Sequence, residues 1–303
     1  MALQNQGYII FVQNFKQWLS IIGYSWQSIK HYPIILQEFF SWLEAKNYIH
    51  IDQITASIVK EYYEYLKTRP NKSRSGALSK HSLNNHISGL KAFNKYLKNY
   101  RKKGLPLHLT AEKIDPLESR RIVSQEEIKE IFQATYYSHK EESTQLRDRA
   151  ILVVLYSCGL RVNEAYHLDV EDILFDAQRI YVKKGKNYKE RFVPLNGYNL
   201  HILTDYIYEA RPLFNKSIST TALFVSHRSK RLQGQSLCKS VKRIIKATQN
   251  TELIDRNITP HKLRHSIATH LLQQKASIKA ISQFLGHASL EPTQLYTHIL
   301  QNK

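Results

Sequence analysis

Residues 261–296 read HKLRHSIATHLLQQKASIKAISQFLGHASLEPTQLY. The segment opens with His261 and Arg264, three positions apart, and it ends on Tyr296, nine residues after His287. Positions i and i+3 of a helix lie on one face, so His261 and Arg264 can approach the same small group. Tyr296 alone says little, because it is one of 19 tyrosines and a tyrosine near the end of an apolar helix usually serves packing.

Two segments further upstream carry side chains of related chemistry. Residues 159–164 read GLRVNE and residues 185–191 read GKNYKER. Attack on a phosphodiester builds negative charge on two non-bridging oxygens, and guanidinium groups that donate paired hydrogen bonds are suited to hold that charge. Arg161 and Arg264 are therefore candidates for a common phosphate site.

The chain as a whole reads as two helical parts. Apolar residues recur at helical spacing in four stretches of the first hundred residues, with Thr55 a candidate cap of the third helix. Pro33 should kink or restart the second helix. We expect a mainly α (α+β) fold: a four-helix domain over residues 1–104, a linker over 105–121 and a larger, mostly helical domain over 122–303.

Strand signals concentrate in one place in the second domain. Residues 179–182 read RIYV and residues 191–194 read RFVP, and the polar stretch between them is typical of a hairpin tip. Ser124 and Glu127 form a capping-box pattern that begins a helix. The larger domain should therefore combine its helices with a small antiparallel sheet or hairpin.

The charge of the chain indicates the class of its partner. Lys and Arg number 44 against 25 Asp and Glu, a net charge of +19 shared by both halves of the chain. Such an excess predicts a polyanion, although a surface that is basic only for solubility is the alternative. Lys91, Lys95 and Lys98 lie at i, i+4 and i+7 of the fourth predicted helix, where they either contact phosphates or form an ordinary solvated face.

Several other classes of protein are disfavoured. Cys158 and Cys238 are far apart and lack metal-ligand spacing, which argues against a disulfide framework or a zinc finger. The longest apolar run, residues 150–160, is too short to cross a bilayer, and the start of the chain has no basic region typical of a secretion signal. We expect a cytoplasmic protein.

A metal site is also considered for the histidines. His261 and His265 stand at i and i+4, a spacing that suits a metal, but the sequence has no HExxH motif and no evident third ligand. We expect neither a metal nor a cofactor.

In order and spacing, these segments resemble the active-site boxes of tyrosine recombinases, which include phage integrases, Xer-type resolvases and transposon recombinases. The resemblance covers about residues 145–298, and the N-terminal stretch is more loosely similar to the family's SAM-like core-binding domain. It implies a site-specific DNA strand transferase that works through a 3′-phosphotyrosine intermediate and a Holliday junction, in integration, excision, inversion or resolution. Relaxation of supercoils, as by a type IB topoisomerase, and non-catalytic DNA-binding regulation are the alternatives.

The resemblance also implies roles for individual residues, with Tyr296 as the nucleophile. Lys186 would protonate the leaving 5′-oxygen, with Lys184 as its rival because the hairpin tip departs from the family's usual Gly-Asn form. Glu164 either is an acidic residue favoured at the start of a helix or, as the resemblance implies, accepts a hydrogen bond that orients Arg161 or a histidine. The implied catalytic residues are Arg161, Lys186, His261, Arg264, His287 and Tyr296, and the expected DNA contacts are Lys91, Lys95, Lys98, Lys184, Lys189 and Arg191.

The implied partner is double-stranded DNA with paired inverted sites, gripped from opposite faces by the two domains. A homotetramer would form on DNA from a monomer or dimer. A bacterial, nucleoid-associated protein of the cytoplasm with no membrane partner is expected. Residues 297–303 follow Tyr296, where many relatives carry a further helix that docks on a neighbouring protomer, so the coupling between protomers is an open question.

Overall fold

The structure is a computed structural model that describes residues 3–71, 75–101, 103–113, 122–183, 190–214 and 220–286. The chain divides into two compact units, Met1–Pro116 and Leu117–Lys303. Each unit has its own cluster of buried apolar side chains. The two units are therefore described separately.

The described part of the first unit is built from four long helices: α1 (Gln6–Ile21), α2 (Trp26–Ala45), α3 (Ala56–Thr68) and α4 (Lys80–Arg101). Its core is rich in aromatic rings. Tyr8 and Phe40 stack with centroids 4.2 Å apart, and Phe93 meets Phe40 edge to face at 5.6 Å. Such pairs add to the free energy gained by burying apolar area. The predicted N-terminal four-helix domain is confirmed.

Of the kink or restart expected at Pro33, the restart does not occur. Helix α2 is continuous from Trp26 to Ala45, with Pro33 buried inside it. A proline removes one helical hydrogen bond. The apolar face of α2 packs on both α1 and α4, and this packing outweighs the local preference. Thr55 begins α3 as predicted, its hydroxyl accepting the Ile58 N–H at 3.4 Å.

The segment that follows α4 packs against the first unit as far as residue 113. Leu105 is buried in the core of that unit. The backbone of Glu112 pairs with the side chain of Asn84, through bonds of 2.8 and 3.0 Å, and the Tyr63 hydroxyl donates to the Glu112 carboxylate at 2.8 Å. The described part of the predicted linker is thus fastened to the helices before it.

The second unit is also mainly helical in its described residues. Its helices are α5 (Gln125–Ala134), α6 (Glu142–Leu152), α7 (Val162–His167), α8 (Gly197–Asp205), α9 (Arg211–Phe214), α10 (Gly234–Ala247), α11 (Thr251–Asp255), α12 (Pro260–Gln273) and α13 (Ile278–Leu285). Helix α6 and the π-helical turn Val153–Ser157 are central to the core and pack against α10 and α12. The predicted capping box begins α5: the Ser124 hydroxyl accepts the Glu127 N–H, and the Glu127 carboxylate accepts the Ser124 N–H at 2.7 Å.

A three-stranded antiparallel sheet in the order β1-β2-β3 joins these helices, formed by β1 (Ile173–Leu174), β2 (Arg179–Val182) and β3 (Arg191–Pro194). The two predicted strands are confirmed, and Val182 lies opposite Arg191. Strand β1 was missed because two residues are too short to show an alternating pattern. Along the described residues, no helix is long and apolar enough to cross a bilayer.

Candidate active site

The first arginine of the predicted site stands at the start of α7. Gly159 ends the preceding turn with a φ of +60°, a conformation that favours glycine. The Arg161 N–H donates to Glu164 Oε2 at 2.8 Å, and Arg161 Nη1 donates to Glu164 Oε1 at 2.9 Å. Glu164 therefore does both things considered for it: it accepts a backbone N–H at the start of a helix and it binds the Arg161 guanidinium.

Arg264 reaches the same carboxylate from α12. That helix begins at Pro260, with the hydroxyl of Thr259 accepting the Lys262 N–H at 3.3 Å. Arg264 is only 3% exposed. It donates to the carbonyl of Gly159 and, at 2.6 Å, to the carbonyl of Leu285, and its Nη1 lies 3.6 Å from Glu164 Oε2. Folding thus brings Arg161 and Arg264 to the same carboxylate.

Arg191, expected to contact DNA, lies in the interior beside these arginines. Its Nη1 and Nη2 donate to the two oxygens of Glu164 at 3.2 and 3.0 Å, and its Nε donates to the carbonyl of Phe284 at 2.8 Å. The side chains of Arg191 and Glu164 are 7% and 8% exposed. This guanidinium is engaged by protein groups. No sequence pattern predicted the contact between Arg191 and Glu164, because the two residues are far apart in the chain and meet only in the folded structure.

Glu164 forms ion pairs with three guanidinium groups: Arg161 and Arg191 donate hydrogen bonds to it, and Arg264 lies 3.6 Å away. Burial on its own raises the pKa of the Glu164 carboxyl, but the hydrogen bonds and charge of Arg191, the Arg161 N–H and the charge of Arg264 together bring that pKa below its ordinary value. The carboxylate is therefore ionised at neutral pH. One negative charge among three positive ones leaves the cluster cationic, as a phosphate site requires.

His261 is the remaining predicted catalytic residue within the part of the chain that the structure describes. Desolvation by the surrounding protein, followed by the charges of Arg264 and Arg161, lowers the pKa of His261. Its Nε2 lies 2.9 Å from Nε2 of His265, so one of these two nitrogens accepts the hydrogen that the other carries. His261 is therefore a neutral imidazole at pH 7, able to accept a proton.

A charged cluster holds the base of the β2–β3 hairpin. Lys183, the residue after β2, donates to Asp169 at 2.9 Å and lies 3.2 Å from the carboxylate of Asp172. Arg231 binds Asp169 at 2.5 Å. Across the hairpin, the Tyr181 hydroxyl of β2 donates to Glu190, the residue before β3, at 3.0 Å. No sequence pattern predicted this cluster, because its acidic residues precede the sheet and meet Lys183 and Arg231 only in the folded structure.

Asp169 should make stability depend on pH. Burial opposes ionisation, but hydrogen bonds from Lys183, Arg231 and Thr221 lower its pKa to about 2. A lowered pKa contributes stability above the unfolded value near 4, and that contribution is lost as pH falls toward 2, at most about 2 kcal/mol because Lys183 is partly exposed. Asp169→Asn should unfold at a lower temperature than wild type at pH 7, with a smaller difference at pH 3 in thermal melts. An equal difference at both values would contradict this.

The remaining predicted site residues fall into two groups. Lys91, Lys95 and Lys98 are exposed on α4, away from its buried side. Lys184, Lys186, Lys189, His287 and Tyr296 lie outside the described residues. Within the ranges that are described, no group of three or more His, Cys, Asp or Glu side chains is placed to hold a metal ion.

Comparisons with known proteins assign both parts of the chain to known families. Residues 121–303 match the phage integrase family, and residues 12–103 match the phage integrase N-terminal SAM-like domain. A tyrosine recombinase XerD of Staphylococcus epidermidis is 33% identical over 284 residues, which cover 93% of this chain and 90% of that protein. A tyrosine recombinase XerC of Natranaerobius thermophilus is 32% identical over 258 residues, covering 82% and 80%.

Solved structures show the same fold. The XerH recombinase bound to palindromic difH substrate in a post-cleavage complex superposes with a TM-score of 0.73 at 20% identity, covering 98% of this chain and 86% of that one. The Tn1549 transposon integrase with transposon right end DNA has a TM-score of 0.71 at 18% identity, covering 94% of each chain. The chain therefore belongs to the phage integrase family of tyrosine recombinases, enzymes that cleave and rejoin DNA.

Proposed function

We propose that this protein is a site-specific recombinase in which Arg161, Arg264 and His261 act on the scissile phosphate, with Lys186, His287 and Tyr296 completing the site. The observation that carries the proposal is the convergence of Arg161 and Arg264 on the buried carboxylate of Glu164, with His261 on the same helix as Arg264. Remote parts of the chain meet there to form a cationic site with a neutral imidazole.

The proposed reaction needs no external energy source. The Tyr296 hydroxyl attacks phosphorus and loses its proton, for which neutral His261 is a suitable acceptor. A bond forms between the tyrosine oxygen and phosphorus, and the bond from phosphorus to the 5′-oxygen breaks. Lys186 gives that oxygen a proton. The two arginines stabilise charge on the non-bridging oxygens, and a DNA 5′-hydroxyl later reverses the step on a new partner strand.

We also propose how the two domains bind DNA, how the protomers assemble on it and where in the cell the protein acts. Residues 1–104 and 122–303 would grip opposite faces of duplex DNA, with 105–121 as the connection. XerH was solved on difH DNA and a lambda integrase as a dimer on a core site. For this chain we propose paired inverted sites and a tetramer that exchanges strands through a Holliday junction. The named relatives are bacterial, and we propose action on the bacterial nucleoid in the cytoplasm.

A nicked duplex tests the function directly. Binding selection from a randomised duplex pool supplies a site, and a nick beside the cleaved phosphate lets the short 5′-hydroxyl fragment leave, so that rejoining is prevented. Wild-type protein should then accumulate a covalent adduct on a denaturing gel without ATP. A second assay with two sites on one plasmid should yield recombined circles. A protein that binds the duplex but forms no adduct would refute the proposal, and relaxed plasmid without recombinants would make it a topoisomerase.

Substitution of the lysines on α4 tests whether the first unit binds DNA phosphates. Lys91, Lys95 and Lys98 share an exposed face, and for each lysine that neutralises a phosphate, its removal should reduce the slope of log binding constant against log salt concentration by roughly 0.9. We expect the triple Lys→Gln variant to bind more weakly with a shallower slope, measured by fluorescence anisotropy. Lys30→Gln, an exposed lysine on α2, is the matched control. An unchanged slope in the triple variant would mean that these lysines form only a solvated face.

A further inference from the structure

Arg191 connects three parts of the second unit. It begins β3 opposite Val182 and so stands at the end of the hairpin whose sequence contains Lys186. Its two Nη atoms bind Glu164 of α7, and its Nε binds the carbonyl of Phe284 in α13. Each part adjoins a residue that the proposed reaction uses.

The end of α13 rests on this guanidinium. Gly286 follows the helix with a φ of +65°, and a Cβ atom added there would lie 2.6 Å from Nη1 of Arg191. Arg264 binds the neighbouring carbonyl, that of Leu285. Cations at the C-terminal end of a helix are favoured by its dipole. Two arginines therefore hold the backbone immediately before His287.

Arg191 also affects how strongly the Glu164 carboxylate pairs with Arg161 and Arg264. Without Arg191, the carboxylate would keep Arg161, with Arg264 at 3.6 Å. A buried carboxylate that loses a bidentate partner either takes up a proton or pairs more strongly with the cations that remain. In the first case Arg161 loses its acceptor, and in the second it is held more tightly by Glu164. Both outcomes change how Arg161 meets a phosphate.

We propose that Arg191 is a positioning residue for DNA cleavage, which acts by occupying Glu164 and tying the end of α13 to α7 without touching DNA. The proposal rests on the proposed function. It assigns Arg191 a role different from the DNA contact expected from the sequence. Its burial and its three protein hydrogen bonds carry the argument.

Single-turnover cleavage of the nicked duplex separates this role from DNA contact. Arg191→Met should slow adduct formation about 10- to 100-fold, the scale expected for small misplacement of reacting groups, with unchanged DNA affinity and salt slope. Arg191→Lys should recover part of the rate, because an ammonium keeps the charge but lacks the planar fork that spans Glu164 and the Phe284 carbonyl. This conservative variant also guards against a folding defect in Arg191→Met.

Arg243→Met is the matched control. Arg243 of α10 also binds a buried carboxylate, that of Asp148, through bonds of 3.1 and 2.6 Å. It makes no hydrogen bond to Glu164 in the described structure. We expect this variant to melt at a lower temperature yet to cleave at the wild-type rate, measured below its melting temperature.

A pH profile gives a readout that a purely structural role would not move. In Arg191→Met, burial raises the pKa of Glu164 against fewer opposing groups, so the acidic limb of the cleavage profile should move to higher pH. Adding Glu164→Gln should remove this shift. The double variant should also be no slower than the slower single variant, because both changes act through one contact.

Two results would overturn the proposal. One is a folded Arg191→Met that cleaves at the wild-type rate with the wild-type pH profile. The other is an Arg191→Met variant that binds DNA more weakly and with a shallower salt dependence but cleaves normally on saturating DNA. That result would mean that Arg191 contacts DNA, as the sequence predicted. Failure of the proposed function looks different, since the wild-type protein would then form no adduct.

Discussion

Tyr296→Phe is expected to bind the selected duplex as tightly as wild type and to form no covalent adduct. Phenylalanine keeps the ring and its packing but lacks the oxygen that attacks phosphorus, so the reaction has no nucleophile. The loss should be complete within detection. The measurement is adduct formation on the nicked duplex by denaturing gel, with binding followed by anisotropy on the same samples.

Tyr198→Phe is the matched control for this change. Tyr198 is 63% exposed on α8 of the same unit, and the proposed reaction does not use it, so its variant should form adduct at the wild-type rate. An adduct that persists in Tyr296→Phe would show that another residue attacks the phosphate. Peptide mapping of the adduct would then identify the attacking side chain.

Arg264→Lys should have the second largest effect. The arginine is 3% exposed and donates to the carbonyls of Gly159 and Leu285. Lysine has a single ammonium and cannot reproduce a planar fork, so we expect cleavage to fall about 10²- to 10³-fold, as for the loss of one donor to a transition-state oxyanion. A buried carbonyl left without its donor should also lower the free energy of unfolding by about 1–3 kcal/mol.

A partly exposed arginine that binds a buried carboxylate elsewhere separates these two effects. Arg243 of α10 binds the fully buried carboxylate of Asp148 through bonds of 3.1 and 2.6 Å. Arg243→Lys should lower stability in urea titrations and leave single-turnover cleavage unchanged. If Arg264→Lys merely matches this control, with reduced stability and normal cleavage, then Arg264 is structural and its assignment to the phosphate is wrong.

The sequence predicted most of the local structure. The two strands β2 and β3 begin and end where their alternating pattern does, and the capping box of Ser124 and Glu127 begins α5 as expected. These features depend on side chains within a few residues of one another, so the order of the residues is enough to predict them. Pro33 shows the limit: packing against α1 and α4 outweighs the local cost of proline in a helix.

Pairings across the chain could not be predicted from residue order. The pattern presented Arg191 as one more basic residue of a hairpin, and its type and position both favoured contact with DNA. Its actual partner, Glu164, depends on how β3, α7 and α13 pack together. The close approach of His261 and His265 is local to a helix. Desolvation and the charge of Arg161, which lower the pKa of His261, depend on how other segments pack beside this helix, whereas the charge of Arg264, which lowers that pKa as well, is local to it.

By itself the sequence determined the family, the helical character of both units and the residue types available for phosphate chemistry, because these follow from short-range patterns and from an ordered set of motifs. Only the tertiary structure decided which charges meet. Burial makes the negative charge of Glu164 costly unless guanidinium groups surround it, and packing alone sets which arginines do so. The fold therefore decides how Arg161, Arg191 and Arg264 meet the Glu164 carboxylate.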